Sequence, residues 1–281
     1  MSRDISALTV VVTGGARGIG RATADRFARA GARVAIGDLD GDLAHTVADE
    51  LAQAQGCVAV GGALDVADPE SWTAFLAALG PVDVLVNNAG VMPLGPILDE
   101  PVAVQRAMVD VNVHGVINGT KAVGPAMVER GRGHIVNVAS AVGRAGAAGC
   151  ATYSASKFAV VGFSEATRLE FRPHGVDVTV VLPTIVQTEL SAGVPSARGV
   201  KRVTPEQVAA VIVDAVRKPR PELWVPTWTR GLTRTTGMLP LRVREAIARA
   251  MGADRVLLDA DPTARKAYED RARRAAPSPR P

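Results

Sequence analysis

With 281 residues, 47% apolar and 21% charged, the chain has the composition of a globular protein able to bury a substantial core in one or two domains. A formal charge of +4 and an aromatic content of 4% are too low for phosphate neutralisation and base stacking to dominate binding, which argues against nucleic acid as a partner. Two cysteines, Cys57 and Cys150, lie in no Cys-x-x-Cys or zinc-ligand spacing, and the chain has neither a signal-like start nor an apolar run of about eighteen residues, so a disulfide scaffold, a structural metal and a membrane span lack support and a cytoplasmic location is expected.

Short runs rich in Val, Ile and Leu predict strands at Leu8–Thr13, Arg33–Asp38, Cys57–Gly62, Val82–Asn87, His134–Ala139 and Val176–Leu182. Helical stretches near 18–30, 41–54, 68–79, 100–129 and 153–172 separate them, each long enough to cross between parallel strands. After a looser region, Thr204 as N-cap and Pro205 open a helix running to Lys218, followed by a short strand, Glu222–Val225. The alternation predicts an α/β fold, a doubly wound parallel sheet of the Rossmann kind in three layers. Residues 217–281 carry 15 Lys/Arg against 7 Asp/Glu, a basic appendage whose last residues, Ala-Ala-Pro-Ser-Pro-Arg-Pro, have a disordered composition.

The first strand runs into Gly14-Gly15-Ala16-Arg17-Gly18-Ile19-Gly20 and then a helix. Backbone N–H groups at such a helix start can cradle a diphosphate, and glycines permit its close approach; the same run also fits a plain tight turn. Arg21-Ala22 stand where a triphosphate-binding loop needs Lys and Ser/Thr. Asp38, at the end of the second strand, can accept both hydroxyls of an adenosine ribose and would repel a 2′-phosphate, although it also reads as a solvated turn acid beside Asp40 and Asp42. Arg17 could pair with a 2′-phosphate; the balance favours NAD over NADP. Further along, Tyr153 and Lys157 are spaced i and i+4 on one helix face, so the ammonium can favour the phenolate of a tyrosine acting as acid or base, and Ser140 can donate to a developing alkoxide. Alone, that spacing more often describes a surface pair than a site.

Taken together and in order, Thr13-Gly14…Gly18-Ile19-Gly20, Asp65-Val66, Asn87-Asn88-Ala89-Gly90, Asn112, Ser140, Tyr153 and Lys157 resemble the short-chain dehydrogenase/reductase family over about residues 6–226. The resemblance implies a catalytic tetrad of Asn112, Ser140, Tyr153 and Lys157. In it Tyr153 exchanges the proton, Ser140 holds the substrate oxygen, Lys157 lowers the tyrosine pKa and bonds the nicotinamide ribose, and Asn112 positions a water. It also implies cofactor contacts from Gly14, Arg17, Gly18, Ile19, Gly20 and Asp38, from Asp65 and Val66 at the adenine, from Asn88, Ala89 and Gly90 at its ribose side, and from Val186 and Thr188 at the carboxamide. Asn88 and Asn112 also read as asparagines satisfying local backbone groups. Thr184 stands where the family has glycine after the proline, a departure bearing on the nicotinamide side. The Tyr-x-x-x-Lys spacing argues against the enoyl-reductase branch, and the length and glycine spacing against the extended epimerase branch.

The resemblance places a substrate lid between Thr188 and Thr204, where Leu190 and Val194 suggest an apolar substrate. Val91, Met92, Val142, Ala147 and Cys150 are candidates for the opposite wall, suiting a hydrophobic secondary alcohol or ketone, steroid-, retinoid- or lipid-like, and Cys150 has no adjacent cation to make it a redox thiol. The expected organisation is a Rossmann cofactor-binding and catalytic domain over 1–229 and a basic helical C-terminal extension over 230–281. Within the latter, residues 240–251 can present Leu241, Ala248 and Met251 on one face, as packing helices do and as membrane-surface helices also do. The family resemblance further implies a homodimer or homotetramer built on the helices carrying Asn112 and Tyr153. Alternatives to an NAD-dependent dehydrogenase are an NADP(H)-dependent carbonyl reductase, a cofactor-binding protein acting through a partner, and a tail that binds membrane or nucleic acid.

Overall fold

Seven strands, β1 (Thr9–Thr13), β2 (Arg33–Asp38), β3 (Ala59–Ala63), β4 (Val84–Asn87), β5 (Gly133–Val138), β6 (Val176–Pro183) and β7 (Glu222–Val225), form one sheet in the order β3-β2-β1-β4-β5-β6-β7. Every neighbouring pair is parallel. The computed structural model describes residues 3–195, 202–250, 252 and 255–274. Val10, Val11 and Val12 are wholly buried, as expected of a central strand covered on both faces. On one face lie α1 (Gly18–Arg29), α2 (Gly41–Gln55) and α7 (Pro205–Arg217), which bury Phe27, Val47 and Ile212 against the sheet. On the other lie α3 (Pro69–Leu76), α5 (Gly115–Glu129) and α6 (Ala151–Phe171), which contribute Trp72, Met127 and Val160 to two further clusters. The strand order reverses between β1 and β4, and in such sheets ligands bind in the crevice beyond the carboxyl ends of the strands at that switch point.

Local chemistry sets the helix ends. Asp40 caps α2 by accepting from Leu43 N, Asp68 precedes Pro69 at the start of α3, and Thr204 and Gln207 form a reciprocal box at the start of α7. Two expectations need revision. The third strand is Ala59–Ala63 and not Cys57–Gly62, starting two residues later and ending one later; a Cβ on Gly61 would lie 2.1 Å from Ala44 O, so the glycine lets α2 cross closely. The single helical stretch expected over 100–129 is α4 (Val102–Val109) and α5 separated by a π-helical segment, Asp110–His114.

Beyond β7 the chain forms α8 (Thr229–Gly237), α9 (Leu241–Ala250) and α10 (Pro262–Arg274), and α10 returns to pack on Glu189–Ser191. Leu241 on α9 is exposed; the side chain of Ala248 and residue Met251, expected on its face, lie outside the described residues, as do residues 196–201 of the expected lid and 275–281 of the expected disordered end. Among the described residues no helix is long and apolar enough to cross a membrane, and no cluster of metal-ligating side chains occurs.

His134, inside β5, is wholly buried, with Nε2 2.8 Å from the Thr179 hydroxyl and no partner at Nδ1. Burial, helped by the charge of Arg3, lowers its pKa from 6.5 to about 3. The unfolded chain therefore binds a proton between those values that the folded chain refuses, so this contribution to stability is complete above pH 6.5 and is lost as pH falls. Between about pH 7 and about pH 4.5 the loss is expected to be about 2–3 kcal/mol. Urea unfolding at the two pH values should show that loss largely absent in His134→Gln; an equal loss in both proteins would refute the assignment.

Candidate active site

The carboxyl ends of β1, β4, β5 and β6 open onto a cleft of about 630 Å³. At one end lies the glycine turn. Gly14 and Gly18 have φ of +60° and +52°, a conformation that side chains disfavour, and a Cβ on Gly14 would stand 2.9 Å from Ala89 Cα. Gly14, Arg17, Gly18 and Ile19 line the cleft. Gly20 does not: its missing Cβ would overlap Gly14 O at 2.1 Å, so its glycine closes the turn on itself. The start of α1 has no side-chain cap and no acid in its first turn, leaving an electropositive helix end beside the cleft.

The turn is locked to the loop after β4. Thr13 Oγ1 accepts from the N–H groups of Asn88 and Ala89, both at 3.0 Å, and Asn88 Nδ2 donates to Thr13 O and Gly14 O. Asn88, Ala89 and Gly90 thereby form one wall, with Asp65 and Val66 beside them. The Asp38 carboxylate stands at the end of β2, one oxygen accepting from Ala16 N at 3.0 Å and the other from Asp40 N at 3.2 Å. Arg17 is paired with Asp40 at 3.0 Å, an acid that also caps α2 and whose carboxyl is held below its usual range by the Leu43 N–H and then by Arg17.

Midway along the cleft the first turns of α6 bring Tyr153 and Lys157 together with Ser140, which follows β5. The Ser140 hydroxyl accepts from Val142 N and donates to Pro183 O at 3.5 Å, and its influence on the Tyr153 phenol is to lower the pKa that burial raises. Lys157 Nζ donates to Val138 O at 3.0 Å and sits 5.5 Å from the centre of the Tyr153 ring. Both side chains are buried, and burial sets their titration: the phenol is pushed well above its ordinary value, and Lys157 is pulled down to about 8. Burial, followed by the neighbouring Tyr268 and Cys150, raises the phenol and only Ser140 lowers it, so the depressed tyrosine pKa expected from the i, i+4 spacing is not found.

Asn112 is wholly buried behind the wall rather than lining the cleft. Its Oδ1 accepts from Val91 N at 2.8 Å while Nδ2 donates to Val91 O and to Ser156 Oγ, so it ties the π-helical segment to the β4 loop and to α6. A Cβ on Gly90 would lie 3.1 Å from that Oδ1 and 3.5 Å from Lys157 Nζ, which puts both groups behind the same glycine. Val186 and Thr188 line the opposite side, and Thr188 Cγ2 stands 3.1 Å from where a Gly18 Cβ would be. Thr184, the departure from glycine, causes no left-handed strain, since no described non-glycine residue has positive φ; its N–H and hydroxyl both donate to Val225 O, joining the end of β6 to β7.

The substrate end is apolar: Val91, Met92, Val142, Leu190 and Val194 line it. Ala147 and Cys150 do not reach the cleft surface but pack behind it, in the cluster holding Met92 and Tyr153. Burial raises the Cys150 thiol pKa, which keeps it neutral. Four residues that sequence reasoning missed, Leu257, Tyr268, Arg271 and Ala272, close this end from the C-terminal segment. Their only signal was that Tyr268 is one of two tyrosines in the chain.

Comparison with known proteins agrees with this geometry. A family model described as short chain dehydrogenase matches residues 8–199. A 3-alpha-(or 20-beta)-hydroxysteroid dehydrogenase of Mycobacterium tuberculosis is 39% identical over 199 residues, which cover 69% of this chain and 75% of that protein. A short chain dehydrogenase/reductase from Burkholderia phymatum, solved in complex with NAD, superimposes with a TM-score of 0.75 at 25% identity, covering 83% of this chain and 93% of its own. A metagenomic short-chain oxidoreductase in complex with NADP superimposes with a TM-score of 0.69 at 32% identity, covering 79% and 98%.

Proposed function

The chain belongs to the short chain dehydrogenase family of NAD(P)-dependent oxidoreductases, and on that premise we propose that it interconverts an apolar secondary alcohol and its ketone with NAD(H) as cofactor. The observation that carries this reading is the convergence, in one cleft, of a glycine turn and the Asp38 carboxylate at one end with Tyr153, Ser140 and Lys157 beside an apolar wall at the other. The donor set fits a dinucleotide. The backbone of Gly14–Ile19 would hold the diphosphate, Asp38 the adenosine ribose hydroxyls, Asp65 and Val66 the adenine, Asn88–Gly90 the wall beside it, and Val186 with Thr188 the carboxamide. The preference for NAD rests on Asp38, whose charge opposes a 2′-phosphate, and on Arg17, whose charge is already paired with Asp40.

When bound, the nicotinamide supplies the two-electron donor or acceptor of the reaction. The chain's own residues manage the proton. Tyr153 takes the hydroxyl proton of the alcohol, or returns it to the ketone oxygen, and Ser140 donates a hydrogen bond to that oxygen. Lys157 places a positive charge beside the phenol ring and, lying behind Gly90, would offer N–H groups to the nicotinamide ribose. Asn112 is a positioning residue that fixes the wall in front of the lysine. Exposed apolar side chains on α4 and α6, among them Val102, Val109, Phe158 and Leu169, support assembly as a homodimer or homotetramer through those helices.

The activity is tested by following NADH formation with NAD⁺ and a saturated steroid alcohol or a long-chain 2-alkanol. Turnover of these probes, at least about tenfold more efficient than with NADP⁺, is the expected result. Turnover of polyols alone, or with NADP⁺ alone, would contradict it.

A further inference from the structure

The segment from Arg255 to Arg274 roofs the substrate end of the cleft. Its fit is built on glycines and one buried cation. A Cβ on Gly149 would lie 3.0 Å from Leu258 N, and one on Gly193, at φ +69°, would lie 2.6 Å from Asp261 O, so each glycine lets the segment settle against a different wall. Arg265 is 1% exposed, and its guanidinium donates to Met92 O at 2.7 Å, Leu190 O at 3.0 Å and Ala192 O at 3.1 Å, with Nε on Glu269 at 3.0 Å. It therefore joins the loop after β4 to the segment carrying Leu190. The same guanidinium lies 5.3 Å over the ring of Tyr268, and the Tyr268 oxygen accepts from Met92 N at 2.7 Å. Ring and oxygen are thus both held, and the phenol lines the cleft with Tyr153.

A phenol can donate once as well as accept. The Tyr268 oxygen accepts from Met92 N, a bond that engages one lone pair and does not use the phenolic proton. Val91, Val142, Leu190, Val194 and Leu257 make much of the surrounding wall apolar, while Ser140, Tyr153, Glu189 and Ser191 line the same cleft. A fixed donor in an apolar pocket is the arrangement that selects for a ligand able to satisfy it, because a ligand lacking the acceptor leaves the donor unpaired.

We propose that Tyr268 is a specificity-determining residue, donating its phenolic proton to a second oxygen of the substrate, distinct from the oxygen held by Tyr153 and Ser140. The substrate class is then an apolar secondary alcohol or ketone that also carries a carbonyl, ether or hydroxyl oxygen elsewhere on its skeleton. This inference rests on the proposed dehydrogenase activity and narrows it.

The test compares a saturated steroid 3-alcohol with the same compound bearing a 17-ketone, in the wild type and in Tyr268→Phe, with NADH affinity measured on both proteins. The wild type is expected to favour the keto-alcohol by about tenfold or more in kcat/KM, and Tyr268→Phe to bring the ratio to within about twofold of one. A wild type indifferent to the ketone, or a ratio unchanged in the variant because both activities fall together, would overturn the assignment and leave Tyr268 a structural contact. A wild type that binds NADH but oxidises neither probe would instead overturn the substrate class beneath it, and one that binds no dinucleotide would overturn the dehydrogenase reading itself.

Discussion

Replacing Tyr153 with phenylalanine is expected to lower kcat between about a hundredfold and about ten-thousandfold while leaving NADH affinity nearly unchanged. The variant removes one hydroxyl from a buried ring and leaves Ser140 and Lys157 in place, so a fall confined to turnover assigns the proton transfer to that oxygen. The pH dependence carries a matching signature. Burial raises the Tyr153 pKa, so the protonated phenol that ketone reduction needs is present across the neutral range, while the phenolate that alcohol oxidation needs grows as pH rises. Oxidation by the wild type should therefore climb into the alkaline range and reduction should not. Lys157 retains its charge only below its own pKa of about 8, so its help to the phenolate fades over the same interval. Steady-state rates in both directions, with a calorimetric titration of the variant, check all of this. Retention of more than about a tenth of the wild-type kcat would remove Tyr153 from the chemistry.

Asp38→Ala is expected to weaken NADH binding by about tenfold to a hundredfold and to leave NADPH binding equal or stronger. A carboxylate accepting from two ribose hydroxyls makes charge-assisted bonds that water partly replaces in the variant, a net loss of about 1.4–2.8 kcal/mol, and the same charge repels a 2′-phosphate. Asp38 also accepts from Ala16 N, so the substitution loosens the glycine turn. That second effect weakens both cofactors alike, which is why the ratio of the two affinities is the informative quantity. With Asp38 gone, Arg17 can also divide its attraction between Asp40 and an incoming phosphate. Equal losses for NADH and NADPH would show that Asp38 supports the turn and does not choose the cofactor.

Where the sequence was legible, the cause is local. Arg33–Asp38 and Glu222–Val225 are strands with the boundaries their composition suggests, and the Thr204-Pro205 helix start carries its own cap. The glycine turn, Asp38, Asn88–Gly90 and the Tyr153/Lys157 pair line one cleft because each stands at a strand end or on the helix next to one. The break at Asp110–His114 was not legible, because hydrophobic periodicity cannot register the extra residue of a π-helical turn that is fixed by the Asn112 amide on Val91. Nor was the direction of the Tyr153 shift, since spacing reveals the nearby cation and not the burial that raises the phenol. The roof over the substrate end was hidden for a different reason. A count of charges makes residues 217–281 a basic appendage, yet Arg265 is committed to the carbonyls of Met92, Leu190 and Ala192 and Arg271 to Glu189, so two of those cations hold α10 in place.

The central claim, that this cleft is an NAD(H) site serving an oxidoreductase, is tested most directly by calorimetric titration of the purified protein with NADH and with NADPH in the same buffer. The expected result is one site per chain, with NADH bound at least about tenfold more tightly, a difference of about 1.4 kcal/mol. Tighter binding of NADPH would contradict the role given to Asp38, and binding of neither would contradict the site as a whole.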